Sequence, residues 1–150
     1  MTLLERLNED SRNALRAREA GRLRLSVLRM AISAVRNVEI DQRRTLTDDE
    51  VLAILTREVR QRQDALGEIA GRGRAEAETR LREEIEVLRA YLPQPLSPAE
   101  LEAAVRAAVG ESGAASPRDM GKVMAVLMPR VRGRADGAAV QALVRAILGA

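Results

Sequence analysis

The stretch AEAETRLREEIEVLRAYLPQPLSP, residues 75–98, carries the two decisions on which the fold rests. Residues 75–91 are rich in Glu, Arg, Ala and Leu, which are strong helix formers, and Leu81, Ile85, Leu88 and Leu92 recur at steps of four, three and four. That spacing puts one apolar stripe along one face of a helix. Pro93, Pro95 and Pro98 then withdraw backbone donors and bar a helix through Leu96. The stretch predicts a helix over 75–91, packed antiparallel on the helix before it, and then a stiff Pro-rich linker over 93–98. It parts an N-terminal helical domain, 1–92, from a helical tail, 99–150. Glu83, Glu84, Glu86 and Arg89 are expected to form a solvated face, where favourable pairs contribute only about 0.2–0.5 kcal/mol each.

Upstream the same period continues. Leu3, Leu4, Leu7, Ala14 and Leu15 predict a first helix from Leu3 to about Glu19, and Gly21 marks a break. Leu23, Val27, Met30, Ala31, Ala34, Val35 and Val38 form a wider stripe, so the second helix is expected to be the most buried. Thr47 and Glu50 have capping-box spacing and open a third helix, with Val51, Ile54, Leu55, Val59, Leu66 and Ile69 inward and an end near Gly71–Gly73. Downstream, Ser97-Pro98 with Glu100 opens a fifth helix that ends near Gly110. Ser116-Pro117 with Asp119 opens a sixth that Pro129 closes, and Asp136 caps a seventh carrying Val140, Leu143, Val144, Ile147 and Leu148. No stretch alternates in the manner of a strand. The fold class is all-α: a bundle of about four helices, the linker, and a small three-helix tail. The tail buries little surface of its own and is expected to be marginal alone and to dock on the first domain.

Composition limits the chemistry. The 150 residues are 46% hydrophobic and 31% charged, enough apolar material for a core. Cys, His, Trp and Phe are absent and Tyr91 is the single aromatic residue, so the core is aliphatic. Without Cys or His there is no disulfide, no ordinary zinc site, no Cys/His pair and no Ser/His/Asp triad. The pI of 10.4 accompanies a net charge of only +3, because 25 basic residues face 22 acidic ones and every base except Lys122 is Arg. A local patch, rather than the field of the whole molecule, must then attract any polyanion. No apolar run reaches the roughly 20 residues of a bilayer span, and Glu5 and Arg6 stand where a signal peptide needs apolar residues; the expected location is cytoplasmic, with no membrane partner.

The most distinctive stretch runs from Asp119 to Val140, DMGKVMAVLMPRVRGRADGAAV. It resembles the signature of the GatB/YqeY domain. Leu3-Leu4-Glu5-Arg6-Leu7, Leu28-Arg29-Met30, Arg57-Glu58-Val59 and Tyr91-Leu92-Pro93 are similar to the stand-alone YqeY-like proteins. The resemblance implies a helical N-terminal domain joined to a small helical tail of the kind found in the B subunit of the amidotransferase that makes Gln-tRNA or Asn-tRNA. There the tail helps hold the tRNA while the chemistry lies elsewhere.

The residues expected to bind nucleic acid are Arg118, Lys122, Arg130, Arg132 and Arg134. If the connection from Pro129 to Ala135 is extended, Arg130, Arg132 and Arg134 share one side, with Arg118 and Lys122 just before them and only Asp119 opposing. Such a cluster suits phosphates, which Arg binds by paired hydrogen bonds. Gly121, inside the sixth helix, implies a close approach, by another helix more readily than by a phosphate backbone. Gly121-Lys122 is no nucleotide loop, since Val123 stands where a Ser or Thr must hold magnesium. No cofactor is expected. With only Tyr91 available for stacking, folded RNA read by shape and phosphate is favoured over single strands.

These residues point to a non-catalytic adaptor that binds tRNA or a tRNA-bearing complex. Two other readings exist. One is a protein-interaction module that docks an aminoacyl-tRNA synthetase or an amidotransferase subunit; the other is an accessory to glutamine-dependent carbon–nitrogen ligation. Against a catalytic role stands the absence of a Ser- and Gly-rich amidase loop with its lysine.

Overall fold

The computed structural model describes residues 1–149, and among them it holds seven α-helices and no strand. The all-α expectation stands. The helices are α1 (Leu3–Arg16), α2 (Arg22–Gln42), α3 (Asp48–Ile69), α4 (Ala75–Arg89), α5 (Pro98–Ser112), α6 (Met120–Val131) and α7 (Gly137–Ile147), with single 3₁₀ turns at Arg18–Gly21 and Pro117–Asp119. The chain divides into two compact units, Met1–Leu92 and Pro93–Ala150.

In the first unit, local signals fix where each helix starts. Thr2 accepts from the Glu5 N–H at 3.1 Å while the Glu5 carboxylate accepts from the Thr2 N–H at 2.8 Å. Thr47 and Glu50 repeat this box at the head of α3, and Arg44 adds a hydrogen bond of 2.9 Å to Glu50. Each box satisfies two of the donors that a helix start leaves orphaned. Asp48 also accepts from the Leu3 N–H at 3.0 Å, which ties the heads of α1 and α3 together.

α1 ends at Arg16, three residues short of the expected Glu19, because the chain tightens into the 3₁₀ turn before Gly21. That turn has a packing reason. A Cβ at Gly21 would stand 2.1 Å from the Ala14 carbonyl oxygen, so only glycine lets the start of α2 lie this close to α1.

The core of this unit is built from Leu7 of α1, Val27, Leu28, Ala31 and Val35 of α2, Val51, Leu55 and Val59 of α3, Ile85 and Leu88 of α4, and Tyr91 just after it. Two residues assigned inward by periodicity are instead exposed: Leu15 at 54% and Met30 at 55%. Leu15 falls in the last turn of the shortened α1. Met30 lies at the edge of the α2 stripe, its sulfur 3.8 Å from a guanidinium nitrogen of Arg62.

Two glycines with positive φ, Gly71 at +73° and Gly73 at +74°, turn the chain between α3 and α4. Gly71 meets Glu78 and Arg62 meets Glu84, so partners advance in opposite directions and the two helices run antiparallel. The expectation of a wholly solvated charged face on α4 is corrected here. Glu84 is half-buried and bonds Arg62, the buried charged residue at the α3–α4 seam, at 3.2 Å; Glu58 bonds the same guanidinium at 2.9 Å.

In the second unit, Ser97 and Glu100 form another capping box, with Pro98 in the first turn where its missing N–H costs nothing. α5 runs past Gly110 to Ser112 and ends at Gly113, whose φ of +69° makes the left-handed cap. α6 likewise outruns its expected end. Pro129 lies inside its last turn, and the helix closes at Val131. A proline there forfeits only the bond to the Ala125 carbonyl, while the Arg132 N–H still reaches the Met128 carbonyl at 2.9 Å. Asp136 caps α7 through the Ala139 N–H. Val105, Ala108, Val123, Leu127, Val131, Val140, Val144 and Leu148 form the core, with Met120, Met124 and Met128 packed on its edge.

Candidate nucleic-acid interface

Five cations were singled out in the tail, and the helix that carries most of them sets their arrangement. Because α6 continues through Pro129 to Val131, the connection expected to be extended is helical at Arg130, and the alternate-residue face of Arg130, Arg132 and Arg134 does not form. Helical spacing replaces it. Lys122, Val126 and Arg130 recur every four residues and share one face, about 6 Å apart per step along the axis. Arg118 comes one step earlier, in the 3₁₀ turn that leads into α6. Arg132 follows the helix end, and Gly133, at a φ of +78°, turns the chain back there.

The five differ in what they touch. Arg118 and Arg132 are exposed and make no ion pair among the described residues. Lys122 stands 3.7 Å from Asp119. Arg130 is paired with Glu111 of α5, which raises its already high pKa through that hydrogen bond and the charge of the partner. Arg134 is half-buried; its Nε donates to the Gln94 carbonyl at 2.9 Å and its own carbonyl accepts from the Leu96 N–H at 2.9 Å. Arg134 thus ties the turn to the linker segment inside the second unit.

Two acids therefore stand among these cations, not one. Asp119 is committed to the backbone: its carboxylate accepts from the Ala115 N–H at 2.9 Å and the Ser116 N–H at 3.3 Å. These bonds, more than Lys122, hold its pKa below the ordinary carboxylate value. Glu111 lies 19 positions from Arg130 in sequence, and no local pattern announces the pair.

Gly121 has open space where a side chain would be, with nothing within 4 Å of a Cβ built there. The close approach expected at this glycine is absent. Tyr91 also changes role. It is 6% exposed, its hydroxyl donates to Asp10 and accepts from Arg24 at 3.2 Å, and the Arg6 guanidinium lies 4.8 Å from the ring centre. Burial first, and then the Asp10 carboxylate, push its pKa up to about 12. The ring serves the first unit's core and has no face free for a base.

In the first unit the depressions are open surface features. One is lined by Leu23, Ala75, Glu76, Thr79, Arg80 and Glu83, another by Arg29, Met30, Ser33, Ala34 and Asn37. Among the described residues no three acidic side chains converge as a metal site would require, and no helix is long and apolar enough to cross a membrane.

A family model described as "Yqey-like protein" matches residues 4–148, nearly the whole chain. No curated protein matches it.

Proposed function

We propose, for a chain that belongs to the YqeY-like protein family, a non-catalytic role as an adaptor that binds folded RNA, with tRNA as the ligand, through the outer face of α6. The observation that carries this reading is the cation array itself: Lys122 and Arg130 two helical steps apart on one face of α6, with Arg118 in the turn before the helix and Arg132 just past its end. The resemblance of residues 119–140 to the tail of the tRNA amidotransferase B subunit points to the same ligand. Arginine and lysine spaced along a helix engage a phosphate backbone without reading bases, and the burial of Tyr91 removes the one ring that a single strand would stack on. Arg134, occupied with Gln94, contributes to the patch mainly by fixing the turn that presents Arg132.

Filter binding with folded tRNA over a salt series tests it. Phosphate contacts by Arg118, Lys122 and Arg132 predict a log–log salt slope of about −2 to −3. The R118A/K122A/R132A variant is expected to flatten that slope by about 2 to 3 and to weaken binding at low salt. Unchanged affinity and slope in that variant would sink the α6 reading.

A second reading is favoured by one observation. Met30, Ser33, Ala34 and Asn37 form a partly apolar strip on α2, with Arg29 its one charge, in a chain that is 31% charged. On this reading the first unit docks an aminoacyl-tRNA synthetase or an amidotransferase subunit. Co-purification of the named subunit after nuclease treatment, abolished by M30D, supports the protein partner; loss of the subunit on nuclease treatment supports RNA.

A further inference from the structure

We propose that Glu111 is an internal counterion that sets the affinity of the α6 face, holding Arg130 until a polyanion displaces it. The inference rests on the polyanion-binding reading above and adds the residue that tunes it.

Two acids lie in the array, and only one has another task. Asp119 accepts two backbone N–H groups and closes the turn before α6. Glu111 has no such duty: its one described polar contact is the Arg130 guanidinium. Both partners are about half exposed, 48% for the Arg130 side chain and 52% for Glu111. An ion pair this wet is weak and easily exchanged for another anion. Pro129, beside Arg130, also leaves the Ala125 carbonyl without its helical partner.

A physical consequence follows for salt dependence. When phosphate replaces Glu111 on Arg130, the nucleic acid releases a counterion but the freed carboxylate attracts one, so this contact adds almost nothing to the net release. Arg130 is then nearly silent in the salt slope of the native protein. With the carboxylate gone it becomes a full phosphate contact.

Salt-dependent filter binding of folded tRNA by the full-length chain, its E111Q and R130Q variants and the E111Q/R130Q double variant tests this. E111Q is expected to bind about two- to fivefold tighter and to steepen the log–log slope by about 0.7–0.9. Adding R130Q to E111Q is expected to cancel both gains. E111Q at native affinity and slope overturns the assignment, and so does a gain that survives in the double variant, since it would then be a general charge effect. Unchanged binding in R118A/K122A/R132A instead sinks the underlying reading of the face, while absence of binding by the native chain and E111Q alike overturns both.

Discussion

Gly21 and Gly121 read differently in the sequence: Gly21 marks a break between helices, whereas Gly121, inside the sixth, implies a close approach. Their surroundings are opposite. A methyl at Gly21 would collide with the rigid backbone of Ala14, whereas at Gly121 it would enter open space. Gly21→Ala is therefore expected to destabilise the first unit by about 3 kcal/mol, as overpacking against backbone does. Gly121→Ala is expected to stabilise α6 by about 0.5–1 kcal/mol through helix propensity. Urea unfolding of the two variants checks the pair, and equal effects would contradict the contrast. What a missing side chain makes room for depends on a neighbour distant in the chain, so the difference was not legible from spacing. The residue types of the patch were legible, because a cation declares itself in composition. Their partners were not: Glu111 reaches Arg130 from another helix.

Helix starts were the most readable elements. Thr47–Glu50 and Ser97–Glu100 each form the reciprocal box that their spacing predicts, because that box needs only residues three apart. Helix ends were less readable. α5 passed Gly110, which tolerates helix, and α6 passed Pro129, whose cost in a last turn is one carbonyl bond. That second difference reorganised the candidate site: with Arg130 still helical, its side chain joins Lys122 on the helix face and does not alternate with Arg132 and Arg134. The seam between α3 and α4 hid a further element-scale feature. Glu58 and Arg62 are four apart, the spacing of ordinary ion pairs on a helix surface, yet Arg62 is 7% exposed and also holds Glu84. Arg62→Ala strands the half-buried Glu58 and leaves Glu84 only the exposed Arg80, 3.7 Å away, and is expected to cost about 3 kcal/mol. Arg62→Met, which cannot pair with them either, is expected to recover part of that loss only when combined with Glu58→Gln and Glu84→Gln. Denaturant melts of the single and triple variants measure this; an R62A variant as stable as the native chain would show the network to be idle.

Across the molecule the all-helical class followed from period alone, and an aliphatic core was forced by composition. The charge pairs that shape stability against pH required coordinates. Hydrogen bonds from Arg44, and then from the Thr47 N–H, hold Glu50 at about 2, below the ordinary 4.5. A folded-state value below the unfolded one means stability that is complete above about pH 4.5 and is lost as pH falls towards 2. The stability gap between native chain and E50Q is therefore expected to be widest above pH 5 and to close near pH 2. Tyr91 acts with the opposite sign. Its value, raised from 10.0 to about 12, gives stability that is complete below pH 10 and is lost between 10 and 12. The gap to Y91F should hold steady up to pH 10 and narrow beyond it; gaps that ignore pH at both ends would refute these assignments.

The solitary ring at Tyr91 has one more use. With no Trp or Phe anywhere in the chain, every near-ultraviolet photon absorbed by an aromatic group is absorbed at one position in residues 1–92. Tyrosine emission is thus a reporter of the first unit alone, while far-ultraviolet dichroism sees helices of both. Melting curves recorded with the two optical signals side by side tell, without any label, whether the halves of the chain come apart together or in turn.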